Sequence, residues 1–198
     1  MIREATLARN GSATKLKILD VASGMLSSES VGNVNLDKIS QMAGLTKKSI
    51  YYHFPSKDHL LTAAVDYLRP TYLEQYRVWA ERAGEIAQMH DRVLMIIRGL
   101  TQAAEDPHWK GCRFVRVAAE LGSLPGHPAR KMVARAIREM ESWFEVELAA
   151  EGCTNPLGVA RLLVILLNGV VVTLLVHRNG PYGSEAIELL DTILPAKH

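Results

Sequence analysis

Apolar residues in this 198-residue chain recur three and four positions apart, and no stretch alternates apolar with polar residues over the length of a strand. Spacing near 3.6 lines residues up on one side of a helix, whereas a half-buried strand needs period two. An all-α chain is the expectation. Stripes are legible at Leu16, Leu19, Ala22 and Leu26, at Ile86, Met89, Val93, Ile96 or Ile97 and Leu100, and at Val133, Ile137, Met140, Phe144 and Leu148. Another runs through Ile187, Leu190, Ile193 and Leu194, in a last helix that Ser184 can cap. Residues 1–12 read as a frayed arm ahead of a first helix over Thr14–Ser28. With 48% hydrophobic and 22% charged residues, the composition is that of a folded globular chain with a sizeable core.

The most apolar segment is Leu162–Val176, interrupted by Asn168 and Gly169 and bracketed by Arg161 and His177. Spanning a bilayer takes about 20 apolar residues, so a run of this length points to a core or interface helix and not to a membrane anchor. Asn155-Pro156 supplies a cap followed by proline at the first helical position. The helix so opened, to about His177, is apolar nearly all round and must be covered on most sides. Only Cys112 and Cys153 are present, which argues against a disulfide scaffold and fits a reducing, cytoplasmic setting; no secretory signal pattern opens the chain.

Net charge is +2, but it is unevenly spread. Residues 1–57 carry eight basic and four acidic side chains, so the remainder is slightly acidic. A basic N-terminal third suggests a module that faces nucleic acid, the alternative being an ordinary solvated surface. Within it, Asn35 can cap a short helix, Leu36–Ala43. Gly44 stands where a helix needs a left-handed exit residue, and Thr46 can cap a second short helix, Lys47–His53. Two short helices joined by a tight turn containing glycine are the helix-turn-helix signature, with Ile50 and Phe54 directed inward. The N-terminal end of the second helix would enter the major groove. It offers Thr46, Lys47, Lys48 and Ser49, whose hydroxyls and ammonium groups suit both base edges and phosphates. Tyr51, Tyr52 and His53 can donate to phosphates, and Lys57 adds a cation at the start of the next helix, where a phosphate would sit.

The ordered matches Ile39-Ser40, Ala43-Gly44-Leu45-Thr46, Tyr51-Tyr52-His53-Phe54 and Lys57 make residues 14–68 resemble the DNA-binding domain of the TetR family of bacterial transcriptional regulators. Ser40 stands where the family usually has Ala, Asn35 where Thr or Ser is common, and Ser30 replaces a usual Gly. The segment Gly111-Cys112-Arg113-Phe114 with Ala118-Ala119-Glu120 is also similar to one subgroup of the family's C-terminal domains. The resemblance implies an N-terminal three-helix DNA-binding domain followed by a helical ligand-binding and dimerisation domain. By that division residues 1–57 hold the arm and helix-turn-helix, and residues 58–198 hold the effector and dimer functions, joined by a shared helix. It further implies a homodimer through helices near 156–177 and 184–194, a double-stranded DNA operator, a small-molecule effector and the role of a repressor. No cofactor is implied.

Side chains that could line an effector pocket are Trp79, Met89, Trp109, Phe114, Met140, Trp143, Phe144 and Asn168, a mixture suited to an apolar molecule held by few polar groups. Helical spacing alone would equally make most of them core. Cys112, among His108, Lys110 and Arg113, is a candidate sensor thiol, because neighbouring cations lower a thiol pKa. The alternative is a small buried residue. His108, Cys112 and His127 could share a metal, though no flanking pattern supports it. Pro70 falls inside the expected fourth helix and must kink it or begin another. An enzyme is disfavoured, since no nucleophile–base–acid set and no phosphate loop occur. A sequence-neutral nucleoid-type binder would share the helix-turn-helix without an effector site.

Overall fold

A computed structural model describes residues 2–178 and 180–195, with the backbone alone described for residues 2–10. Among the described residues all regular structure is helical. The helices are α1 (Ile2–Ser28), α2 (Leu36–Ala43), α3 (Lys47–His53), α4 (Lys57–Glu81), α5 (Met89–Ala104), α6 (Arg113–Gly122), α7 (Ala129–Ala150), α8 (Pro156–Val176) and α9 (Tyr182–Ile193), with one 3-10 turn at Val31–Asn33. The segment expected as a frayed arm is instead the first part of α1. Its residues are mostly good helix formers, and the lone Gly11 costs about 1 kcal/mol, too little to end a helix.

The chain up to Pro70, together with Arg116–Val133, forms one compact unit. This unit includes α4 as far as Pro70, together with part of α6 and the start of α7. Its core is built from Ile18, Ala22 and Leu26 of α1, Ile39 and Ala43 of α2, Ile50 of α3, and Leu60 and Ala64 of α4, all fully buried. Leu16 departs from the expected stripe and is half exposed, while Ile18 and Met25 take inward places. The register of α1 is set by the helices packed on it, which a lone periodicity does not see.

Two side chains of α6 close this unit. The Arg116 guanidinium donates through Nη2 to the Leu26 and Ser27 carbonyls at 2.9 and 2.5 Å, satisfying acceptors that the end of α1 leaves open. One turn on, the Glu120 carboxylate accepts from the Ser30 hydroxyl at 2.7 Å and the Val31 amide at 2.5 Å.

Thr71–Val115 and the chain from Ala134 onward make a second compact unit. Here α5, α8 and α9 pack mutually, with Met89, Val93, Ile96 and Ile97 of α5 against Leu163, Leu167, Val171 and Leu174 of α8 and Leu190 of α9. Ile86, placed on the α5 stripe by spacing, lies before the helix and is wholly exposed. Asn155 caps α8 by accepting from the Gly158 amide at 3.1 Å, with Pro156 at the first position, as expected. By length and composition α8 could cross a membrane, yet its inward half is buried among neighbouring helices. Ser184 does not cap α9, which starts earlier, at Tyr182; its hydroxyl donates to the Pro181 carbonyl at 2.7 Å. Proline does not end α4, which runs unbroken through Pro70.

Candidate functional site

The geometry of α2 and α3 follows from their caps. Asn35 accepts from the Asp37 amide at 2.7 Å, and Gly44 leaves α2 in the left-handed region, φ +60°, which closes a Leu45 amide to Ser40 carbonyl bond of 2.9 Å. Thr46 then accepts from the Ser49 amide at 3.1 Å and starts α3. Ile50 and Phe54 are buried, so α3 is pinned along one side and its other side is fixed outward.

That outward side carries the residues proposed from sequence. Thr46, Lys47, Lys48, Tyr51 and Tyr52 are exposed, Tyr52 most of all at 84%, while Ser49, His53 and Lys57 are half-buried. The Lys47 ammonium is paired with the Asp37 carboxylate, and Tyr52 and His53 meet edge to face with centroids 5.1 Å apart. The Lys57 ammonium donates to the Gly32 carbonyl at 3.2 Å, which holds it beside the turn that precedes α2. Ser56, capping α4, accepts from the His59 amide at 3.2 Å. Sequence spacing missed the α1 contribution: Lys15 lies over the Phe54 ring, 5.8 Å from its centroid, and Lys17 lies beside Gly44. A basic pair two residues apart on α1 was the available signal.

The residues offered as pocket lining do not form one group. Trp79, Phe114 and Met140 are drawn together by two residues that periodicity did not single out, Tyr72 and Tyr76, one turn apart on α4. Tyr72 stacks on Phe114 with centroids 4.8 Å apart and donates to the Met140 sulfur at 3.5 Å; Tyr76 meets Trp79 edge to face at 5.9 Å. Trp143 stacks instead on Phe144 at 4.8 Å, under the guanidinium of Arg77. Met89 is core, and Asn168 is half-buried on α8. Trp109 belongs to the α5–α6 loop, where its carbonyl accepts from Arg178 at 2.7 Å.

Cys112 lies with the tyrosines, and the cationic activation expected of it does not prevail. Burial pushes the thiol up, against the opposing pull of the Val115 and Phe114 amides, the Tyr76 hydroxyl and the Arg113 charge. His127 is held 3.6 Å from Asp58, and among the described residues no group of three His, Cys, Asp or Glu is placed to hold a metal ion.

Residues 18–64, which run from α1 into α4, match the model of the bacterial regulatory proteins, tetR family. The chain is 21% identical over 179 residues to the HTH-type transcriptional regulator YjdC of Escherichia coli, covering 89% of this chain and 91% of that protein. It is 27% identical over 140 residues to the HTH-type transcriptional regulator LmrA of Bacillus subtilis, covering 70% and 73%. Its fold is that of a TetR transcriptional regulator from Chloroflexus aurantiacus, with a TM-score of 0.73 at 21% identity over 96% of this chain and 98% of that one.

Proposed function

We propose that this chain, whose residues 18–64 match the tetR family of bacterial regulatory proteins, is a cytoplasmic homodimeric DNA-binding repressor released from a palindromic operator by a small molecule. The observation that carries the reading is the state of α3. Its inner side is locked by Ile50 and Phe54, while Thr46, Lys47, Lys48 and Ser49 stand at its open N-terminal end. Such an end fits the major groove, where Lys47 and Lys48 read base edges and Thr46 and Ser49 add hydroxyl contacts. Tyr51, Tyr52, His53 and Lys57 take phosphates on either side. In this reading residues 1–57 carry the DNA contacts, and residues 58–198 carry effector binding and dimerisation.

Dimerisation is supported by the outer side of α8. Leu162, Ile165, Val172 and Val176 are 47, 68, 50 and 69% exposed, and they follow one another by three, seven and four residues along one side of the helix. Leu189 of α9 adds to the exposed apolar surface. A contiguous apolar strip of that kind marks an association surface. A two-fold dimer built on it would present two recognition helices to an inverted repeat.

Release by a ligand requires that the ligand bind the non-operator arrangement more tightly than the operator arrangement. The element suited to report it is α6, which starts beside Cys112 and carries Arg116 and Glu120, the side chains that hold the end of α1 and the turn after it. Selection of duplexes from a random pool at about physiological salt, where non-specific binding is weak, tests the reading. Enrichment of an inverted repeat is expected. Retention of all duplexes alike would replace it with a sequence-neutral binder.

A further inference from the structure

Between Leu36 and Lys57 the chain carries one acidic residue, Asp37, among Lys38, Lys47, Lys48 and Lys57. A carboxylate on a surface offered to phosphates subtracts from affinity for any nucleic acid, so its place there calls for a reason. Its backbone is well fixed: the Asp37 amide donates to the Asn35 cap at 2.7 Å, and the Asp37 carbonyl accepts from the Ser40 hydroxyl at 2.7 Å. Its carboxylate is ion-paired, across the turn at Gly44, with the ammonium of Lys47, the first residue of α3 after the Thr46 cap. Lys38, next to it in sequence, pairs instead with Glu29. The side chains of Asp37 and Lys47 are 62 and 55% exposed, so water screens the pair and it adds little to stability. Stability does not account for it.

We infer that Asp37 is a positioning residue for sequence selectivity: it keeps Lys47 off the phosphates and turned toward base edges. A lysine ammonium has three N–H donors on a flexible four-carbon stem. With one donor on Asp37, the stem is held to a narrow range of positions, and the other two donors remain for the uncharged O6 and N7 acceptors of a guanine. A phosphate draws the pair only weakly, because the charge of Asp37 offsets that of Lys47. Lys47 therefore reads a base where a lysine without that partner would settle on the backbone. This role rests on the DNA-binding reading of α3 above and deepens it, assigning what sets selectivity at one base pair of each half-site.

The test is duplex selection with the full chain, followed by titrations at several salt concentrations on the enriched repeat, its single-base-pair variants and an unrelated duplex. The unaltered protein is compared with Asp37→Asn, Asp37→Glu, Lys47→Ala and the double variant Asp37→Asn with Lys47→Ala. The base pair whose preference disappears in Lys47→Ala is the one Lys47 reads. In Asp37→Asn, preference at that same base pair is expected to fall about tenfold, while preference at the others persists. Lys47, released, takes a phosphate, so affinity for the unrelated duplex rises and the salt slope steepens by about one. Asp37→Glu, whose carboxylate still holds the ammonium, keeps the original preference and slope. With Lys47→Ala already in place, Asp37→Asn leaves the slope unmoved. Circular dichroism checks the fold of each variant, and Asp37→Ser takes the place of an Asp37→Asn that does not fold. Selectivity that survives loss of the Asp37 carboxylate, a loss spread evenly over all base pairs, no retention by Asp37→Glu, or equal steepening with and without Lys47 overturns the assignment. An unaltered chain that enriches no repeat removes this role and the regulator reading together. An enriched repeat that Asp37→Asn reads equally well removes this role alone.

Discussion

Lys57 occupies the first turn of α4, where a cation opposes the helix dipole, and its ammonium is spent on the Gly32 carbonyl. A lysine so held is already aimed, and a phosphate arriving there gains both the charge and the helix end. Lys57→Ala is expected to weaken binding to every duplex alike and to lower the salt slope by about one, measured by titrations at several salt concentrations. Lys48→Ala should also change which sequence is preferred; equal loss on all duplexes would show that Lys48 reads no base. Gly44 is constrained differently. A Cβ there meets only the far end of Lys17, at 4.0 Å, but the backbone sits at φ +60°, so Gly44→Ala should cost about 1–2 kcal/mol, read as a lower Tm. Caps and turn residues of this sort were legible in the sequence because their partners lie two to four residues away. Tyr72 and Tyr76 were not, since what gives them meaning is Phe114 and Met140, which only folding brings near.

At the level of helices, α2, α3 and α8 begin and end where capping residues and glycine or proline place them, and the departures have a common cause. Leu16 and Ile86 satisfy an apolar spacing yet point to solvent, because spacing defines a stripe without saying where a helix starts or which neighbour covers it. Pro70 is the informative exception. It lies well inside α4, removes the amide that would bond the Asp66 carbonyl, and is the last residue of the first compact unit, Thr71 being the first of the second. Here the helix persists with its ladder one bond short. Pro70→Ala should restore that bond and raise stability by about 1–3 kcal/mol. If the missing bond serves the switch, the same variant alters operator affinity or its loss on effector addition; a Tm gain with both unchanged would make Pro70 a tolerated defect. The hooks of α6 predict the opposite sign. Arg116→Ala leaves the Leu26 and Ser27 carbonyls unpaired and should destabilise by about 2–3 kcal/mol, seen in denaturant unfolding.

For the molecule as a whole, the proposed dimer rests on the outer strip of α8. Ile165→Glu puts a charge in the middle of that strip and should split the dimer into monomers in sedimentation, with α8 still folded because Leu163, Leu167 and Leu174 remain inside. Inverted-repeat affinity should fall with it, while contacts of each single head stay intact. The whole-molecule arrangement was the least legible from sequence, because a helix apolar nearly all round announces that it is covered without naming the cover. The same strip has a genetic consequence. Subunits that met through this strip, which includes no residue of the recognition helix, would pair without regard to whether either can grip DNA. An allele damaged only at Lys47 and Lys48 would therefore enlist the intact gene product into half-competent pairs and behave as dominant. An allele that also carries the Ile165 change would be silent beside the wild type, its product having no means of joining.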